Sequence, residues 1–241
     1  MSRVLYINED RKGKMKKNVL NFLNSTQKQK PVMLKVNELF VDLEGEGRYQ
    51  GLPTFFIRLT GCNLRCKWCD TKYAYFKGET MSVKEVTEKA KKISYENINI
   101  TGGEPLAQRK AVIGLVKELK KAGKFVSVET NGSYPIKGIP ADNISMDIKL
   151  PTSGETGKML LSNLKDLKAK DQVKLVIGNA MDLKTATKLL NQYPTKALVI
   201  AQPVFGKITI AEIGKFVLKN ALKWKVSVQL HKVVKAKKLM N

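Results

Sequence analysis

The stretch "TFFIRLTGCNLRCKWCDT", residues 54–71, joins an apolar, β-forming run to a polar loop holding Cys62, Cys66 and Cys69, all the cysteines of the chain. "TFFIRLT" (54–60) reads as a strand, and the thiols begin where it ends. The same rhythm recurs outward from this point. "NINIT" (97–101) runs into "GGEP", "FVSVE" (125–129) into "TNG", and "NISMDI" (143–148) into "KLPTSG". "QVKLVIG" (172–178), "ALVIAQP" (197–203) and "KVSVQL" (225–230) are further strands. Helices are expected over 82–93, 106–123, from Asp182 to Tyr193, and over 209–223. Ser82 with Glu85, and Thr209 with Glu212, have the spacing of capping boxes at helix starts. Alternating strands and helices imply parallel pairing through right-handed crossovers. The length of 241 residues falls short of the roughly 250 typical of a full eight-fold barrel. The expectation is an α/β fold, an incomplete (β/α)6-type barrel with parallel strands, its chemistry gathered where strands give way to loops.

Composition narrows the partners. The formal charge is +23, almost all from lysine; Arg stands only at positions 3, 11, 48, 58, 65 and 109. After Glu212 no acid follows, while Lys215, Lys219, Lys223, Lys225, Lys232, Lys235, Lys237 and Lys238 do. A lysine-only field fits a solvated surface better than a dedicated phosphate-binding face, which often uses Arg as well. Residues 1–32 read as a basic N-terminal arm, whose contact with nucleic acid stays an open alternative, and the compact domain is expected over 33–241. No apolar run approaches the roughly 20 residues that span a bilayer. The N-terminus also lacks the apolar core and small-residue cleavage site of a secretory signal. A cytoplasmic, reducing setting is expected, in which disulfides are disfavoured.

The cysteines are spaced C-x3-C-x2-C, with Asn63, Arg65, Lys67 and Asp70 interleaved or adjacent, which is not core composition. A structural zinc wants four closed ligands; His231, the sole histidine, lies far along the chain. A zinc-stabilised basic nucleic-acid module is therefore one alternative. Thiolates also suit iron–sulfur clusters. On a four-iron cubane, three cysteines leave one iron open to a small molecule.

C-x3-C-x2-C after the first strand of a partial barrel, with "TGGEP" at 101–105, resembles the radical S-adenosylmethionine superfamily. The resemblance implies a [4Fe-4S] cluster on Cys62, Cys66 and Cys69, with S-adenosyl-L-methionine chelating the open iron and yielding a hydrogen-abstracting radical. A glycyl-radical-enzyme activase is a second possibility within that superfamily. Several further stretches resemble the 7-carboxy-7-deazaguanine synthase family: "VNELFVDLEGEG" (36–47), "ITGGEPLAQ" (100–108), "VSVETNGS" (126–133), "MDIKLPTSGE" (146–155), "AQPV" (201–204) and "VQLHK" (228–232). The likeness runs through almost everything after Met33. It implies conversion of 6-carboxy-5,6,7,8-tetrahydropterin to 7-carboxy-7-deazaguanine with loss of ammonia, assisted by Mg2+. It also implies an electron donor of flavodoxin or ferredoxin type, and a homodimer.

By the same resemblance, Leu43, Glu44, Gly45, Arg58, Thr101, Gln229 and His231 border substrate. Gly103, Glu104, Glu129, Thr130, Asn131, Asp147, Ile148 and Lys149 serve S-adenosylmethionine, and Thr71 holds Mg2+. The residues add their own readings. Carboxylates in the Gly-rich "LEGEG" can accept from a guanidine-like pterin edge, although Glu44 departs from the family's Gln. Arg58, mid-strand in an apolar run, needs either a substrate carboxylate or a local acid as partner. Gln229 and His231 alternate onto one face of the expected last strand.

Overall fold

The computed structural model describes residues 30–233. Most of the N-terminal arm, and Lys235, Lys237 and Lys238 of the basic tail, lie outside these residues.

A nine-stranded sheet organises the chain. Its strands are β1 (Met33–Leu43), β2 (Pro53–Leu59), β3 (Glu79–Ser82), β4 (Asn97–Gly102), β5 (Phe125–Thr130), β6 (Asn143–Ile148), β7 (Gln172–Ile177), β8 (Leu198–Pro203) and β9 (Lys225–Val226). The order is β3-β1-β2-β4-β5-β6-β7-β8-β9. From β2 to β9 each neighbouring pair is parallel. β1 pairs antiparallel with β2 and with β3, so an antiparallel margin flanks the parallel body. The sheet does not close, as expected of a partial barrel.

The crossover helices are α1 (Val83–Lys91), α2 (Arg109–Lys121), the single-turn α3 (Asn163–Asp166), α4 (Ala180–Gln192) and α5 (Ile210–Lys219); α6 (Leu230–Val233) is a final turn. Both expected capping boxes form. Ser82 Oγ accepts from the Glu85 amide while the Glu85 carboxylate accepts from Ser82 N, and Thr209 and Glu212 repeat the exchange. α4 starts two residues earlier than Asp182 because Asn179 caps it, its side chain accepting from Asp182 N at 3.0 Å.

Strand alternation divides the sheet into two chemically different faces. Ile57, Leu59, Ile98, Ile100, Val126, Val128, Met146, Ile148, Val173, Leu175 and Ile177 pack outward in one core with Val86, Val112, Leu115, Leu119, Leu183 and Ile213 of the helices. The residues between them form a polar inner face: Arg58 on β2, Asn99 and Thr101 on β4, Ser127 and Glu129 on β5, Asn143, Ser145 and Asp147 on β6, Gln172 and Lys174 on β7, and Gln202 on β8. The inside of this barrel is thus built to be wetted or filled by a polar ligand, unlike a side-chain-packed closed barrel.

The expected strand over 225–230 is corrected. β9 holds two residues, and one further bond, Ser227 N to Ala201 O at 2.9 Å, ends its pairing. The chain then turns inward, with Leu230 N donating to Gly45 O at 2.9 Å, and becomes α6. Gln229 and His231 therefore do not share a strand face; one precedes the final turn and the other lies in it.

Candidate active site

The cysteine loop leaves the carboxyl end of β2, the edge at which every parallel strand delivers its loop. Cys62, Cys66 and Cys69 are free thiols; Cys66 is buried and the other two half-buried. Neighbouring loops hold this one in place. Gly103 N donates to Leu59 O at 3.0 Å and Glu104 N to Gly61 O at 2.7 Å, which docks "TGGEP" against the start of the cysteine loop. A Cβ on Gly103 would lie 2.2 Å from Gly61 O and 2.9 Å from Cys62 Cβ, so only glycine allows this approach. From the end of β5, Asn131 Nδ2 donates to Asn63 Oδ1 at 3.0 Å and lies 3.9 Å from Cys62 Sγ. Burial pushes the Cys62 thiol up and the Cys66 thiol to about 11, despite the Lys149 ammonium near Cys66. Iron must displace those protons to bind.

Glu104 has no exposed surface, and its carboxylate is fully occupied. It accepts from Leu106 N at 2.8 Å, Thr130 Oγ1 at 2.8 Å and Asn131 N at 2.6 Å. Burial raises it to about 7 against these donors. Its geometry is that of a tie between the ends of β4 and β5. Thr130 belongs to the same tie.

Below this edge lies a charged interior. Lys174, nearly fully buried, reaches Glu46 at 2.9 Å, Glu129 at 3.1 Å and Asp147 at 3.5 Å. Burial alone would lower its affinity for a proton; the Asp147, Glu129 and Glu46 carboxylates reverse that and hold it well above the usual lysine range. Glu46 also accepts from Gln202 at 2.7 Å and from Gln229 at 2.7 Å. Burial pushes the Glu46 carboxyl up, but the Lys174 ammonium outweighs it and the net direction is down. Glu44 stands apart. Buried and facing the Glu129 charge, it accepts from Asn99 Nδ2 at 2.7 Å and from Glu46 N at 3.4 Å, and is raised to about 8. Thr101 Oγ1 donates to Glu129 at 3.2 Å. Lys149 pairs with Asp147 at 2.6 Å and sits 5.1 Å over the Trp68 ring, bridging interior and cysteine loop. Ile148, between them, is buried in the outer core and turned from the interior.

Two buried side-chain oxygens of the interior, Asn99 Oδ1 and Gln202 Oε1, have no hydrogen-bonding partner. A buried acceptor without a donor is costly, so these atoms call for a ligand rich in N–H groups.

The rim carries the remaining expected residues. Arg58 Nε donates to Glu38 Oε1 at 2.7 Å, and its guanidinium lies over the rings of Phe40 and Tyr73. The local acid required of a mid-strand charge is thus present on β1. Thr71 Oγ1 donates to Asp70 Oδ1 at 3.0 Å. Asp70 faces His231 at 3.6 Å and Lys232 at 2.6 Å, which hold its carboxyl well below the ordinary range despite partial burial. His231 is thereby brought to the cysteine loop, and a Cβ on Gly45 would lie 2.5 Å from its Nδ1. Leu43 ends β1 at the start of the same acidic loop. Among the described residues no three Cys, His, Asp or Glu side chains gather tightly enough for a single metal ion. The thiols are instead a three-point set on one loop, chemically suited to a larger iron–sulfur cluster.

Sequence reasoning passed over Asn99, Lys174, Gln202 and Glu38, and named Glu46 only within "LEGEG". Their signal was the polar member of each alternating strand, in "NINIT", "QVKLVI" and "LVIAQP".

Residues 56–175 match the family described as Radical SAM superfamily. The 7-carboxy-7-deazaguanine synthase of Methanospirillum hungatei is 43% identical over 202 residues, covering 83% of this chain and 85% of that protein. The synthase of the same name from Thermoplasma acidophilum is 35% identical, covering 83% of this chain and 96% of its own length. Among solved structures, QueE from Escherichia coli superposes with a TM-score of 0.67 at 25% identity, covering 82% of this chain and 94% of that one. With strand order, thiol placement and sequence identity in agreement, this chain belongs to the 7-carboxy-7-deazaguanine synthase family of the radical S-adenosylmethionine superfamily.

Proposed function

We propose that the chain converts 6-carboxy-5,6,7,8-tetrahydropterin to 7-carboxy-7-deazaguanine with release of ammonia. The observation that carries this is the juxtaposition of three free thiols with an interior of unpartnered buried acceptors, in a chain 43% identical to a synthase of that name. Cys62, Cys66 and Cys69 hold a [4Fe-4S] cluster which, with S-adenosylmethionine bound, supplies hydrogen abstraction at the substrate's C6.

The chain's own residues bind and orient. The oxygens of Asn99 and Gln202 accept from the N–H-rich pterin edge, with Thr101 and Glu129 beside them. Glu44 keeps its proton at neutral pH, so its carboxyl offers a donor and an acceptor together, as the family's Gln amide does and an ionised carboxylate does not. Arg58, steadied by Glu38, presents its remaining N–H edge to the substrate carboxylate. Gln229 and His231 close the rim together with Leu43 and Gly45. Gly103, Asn131, Asp147 and Lys149 line the S-adenosylmethionine side, while Glu104 and Thr130 position the loops that carry them. The Thr71 hydroxyl would be one ligand for a Mg2+ that neutralises the substrate carboxylate, a lone hydroxyl being too weak to hold the ion unaided. A flavodoxin- or ferredoxin-type donor in the cytoplasm supplies the electron, and the enzyme works as a homodimer. No helix among the described residues is long and apolar enough to cross a membrane.

The test is anaerobic incubation of cluster-reconstituted protein with the carboxytetrahydropterin, S-adenosylmethionine, Mg2+ and dithionite, with product read by mass. A deazaguanine carboxylate is expected. An intact cluster without that product would overturn the reading.

A further inference from the structure

The segment after β6, residues 150–155, makes a second set of contacts with the cysteine loop. Arg65, between Cys62 and Cys66, donates its amide to Glu155 Oε1 at 2.6 Å. Lys67, directly after Cys66, donates its amide to Ser153 O at 3.0 Å. Glu155 is buried although a carboxylate, and its other oxygen meets the exposed Lys158 at 2.9 Å. The segment is itself anchored. Ser153 Oγ donates to Leu150 O at 2.6 Å and accepts from Glu155 N at 3.1 Å. Asp182, with no exposed surface at the start of α4, accepts from Thr152 N at 3.1 Å, from the Thr152 hydroxyl and from Gly178 N at 2.7 Å. Hydrogen bonds thus tie Thr152 to α4, and Ser153 and Glu155 of the same segment to the backbone on both sides of Cys66.

We propose that Glu155 is a positioning residue for the iron–sulfur centre, pinning the Arg65 peptide so that Cys62 and Cys66 keep the spacing the cluster needs. The inference rests on the cluster assignment made above. The exposed Arg65 guanidinium holds the loop's carbonyls, donating to Cys62 O at 2.8 Å and Leu64 O at 2.7 Å, and Glu155 holds its amide side. A buried carboxylate oxygen at 2.6 Å makes a charge-assisted bond, stronger than a neutral one. Residues that orient metal-binding groups from behind cost about 10–100-fold in metal affinity when removed.

Two variants and two readouts decide it. Glu155→Ala removes the acceptor; Glu155→Gln keeps an acceptor oxygen and removes only the charge. Hydrogen–deuterium exchange over residues 61–71 reads the loop directly, with or without iron. Retention of the reconstituted cluster under a chelator, followed by visible absorbance and iron content, reads the consequence. Glu155→Ala should speed exchange of the loop and shed the cluster about tenfold faster than wild type. Exchange of β4 and β5 should stay unchanged, and Glu155→Gln should restore most of both losses. Wild-type loop exchange in Glu155→Ala, or a Glu155→Gln variant as impaired as Glu155→Ala, would overturn the proposal. Wild-type protein that takes up no cluster would sink the cluster assignment instead, while loop exchange would still judge the brace.

Discussion

At Glu44 the interior holds a proton that water would remove. Its native affinity is raised to about 8 from an ordinary 4.5, chiefly by burial and then by the Glu129 charge. Between those pH values the folded state binds a proton that the unfolded chain has released, so Glu44 makes stability fall as pH rises through the window. Glu44→Gln should lack this slope: its melting temperature relative to wild type should climb from pH 5 to pH 8, and a flat difference would contradict the assignment. The substrate KM of wild type should rise above pH 8 while that of the variant does not. Arg58→Lys keeps a charge but loses the planar fork. Substrate should bind about tenfold more weakly, a loss of about 1.4 kcal/mol, with S-adenosylmethionine binding little changed, as titration of each ligand would show. Cys66→Ala should lose cluster iron, absorbance near 400 nm and all turnover together.

At the scale of elements, what was local in sequence was legible. Both capping boxes spell themselves out within four residues, and both form. Ser82→Ala should lower stability by about 1 kcal/mol, read as a lower urea midpoint at unchanged slope. The parallel strands were legible too, because each is short, β-rich and followed by glycine or polar punctuation. β1 was not read as a strand, since a register shift between Val36 and Glu38 interrupts the alternation that would announce it. β3 holds four residues, too few to carry a period. The last expected strand ends early because competing partners are nearer: Gln229 finds Glu46 and the Leu230 amide finds Gly45.

At the scale of the whole molecule, the +23 charge and the acidic interior stand in contrast. Among the described residues the lysines lie mostly outside, while Glu46, Glu129 and Asp147 gather around the buried Lys174. A positive exterior steers an anionic substrate, and salt screens that attraction. The KM for the carboxytetrahydropterin should therefore rise with ionic strength while kcat changes little. The likeness to the synthase family runs through the chain after Met33, so a chain lacking residues 1–32 should keep wild-type turnover. A folded truncation without activity would refute this.

Amino-acid order alone determined the thiol triad, the strand–helix rhythm and the helix starts, because each depends on neighbours a few positions apart. Only the tertiary structure decided what the polar strand residues do. Glu46 meets Gln202 and Gln229 across separations of 156 and 183 residues, and Asn99 meets Glu44 across 55. A polar side chain in an alternating strand looks the same in sequence whether it faces water or a closed interior. The folded barrel makes it interior, and burial then assigns its partner, its charge and its use.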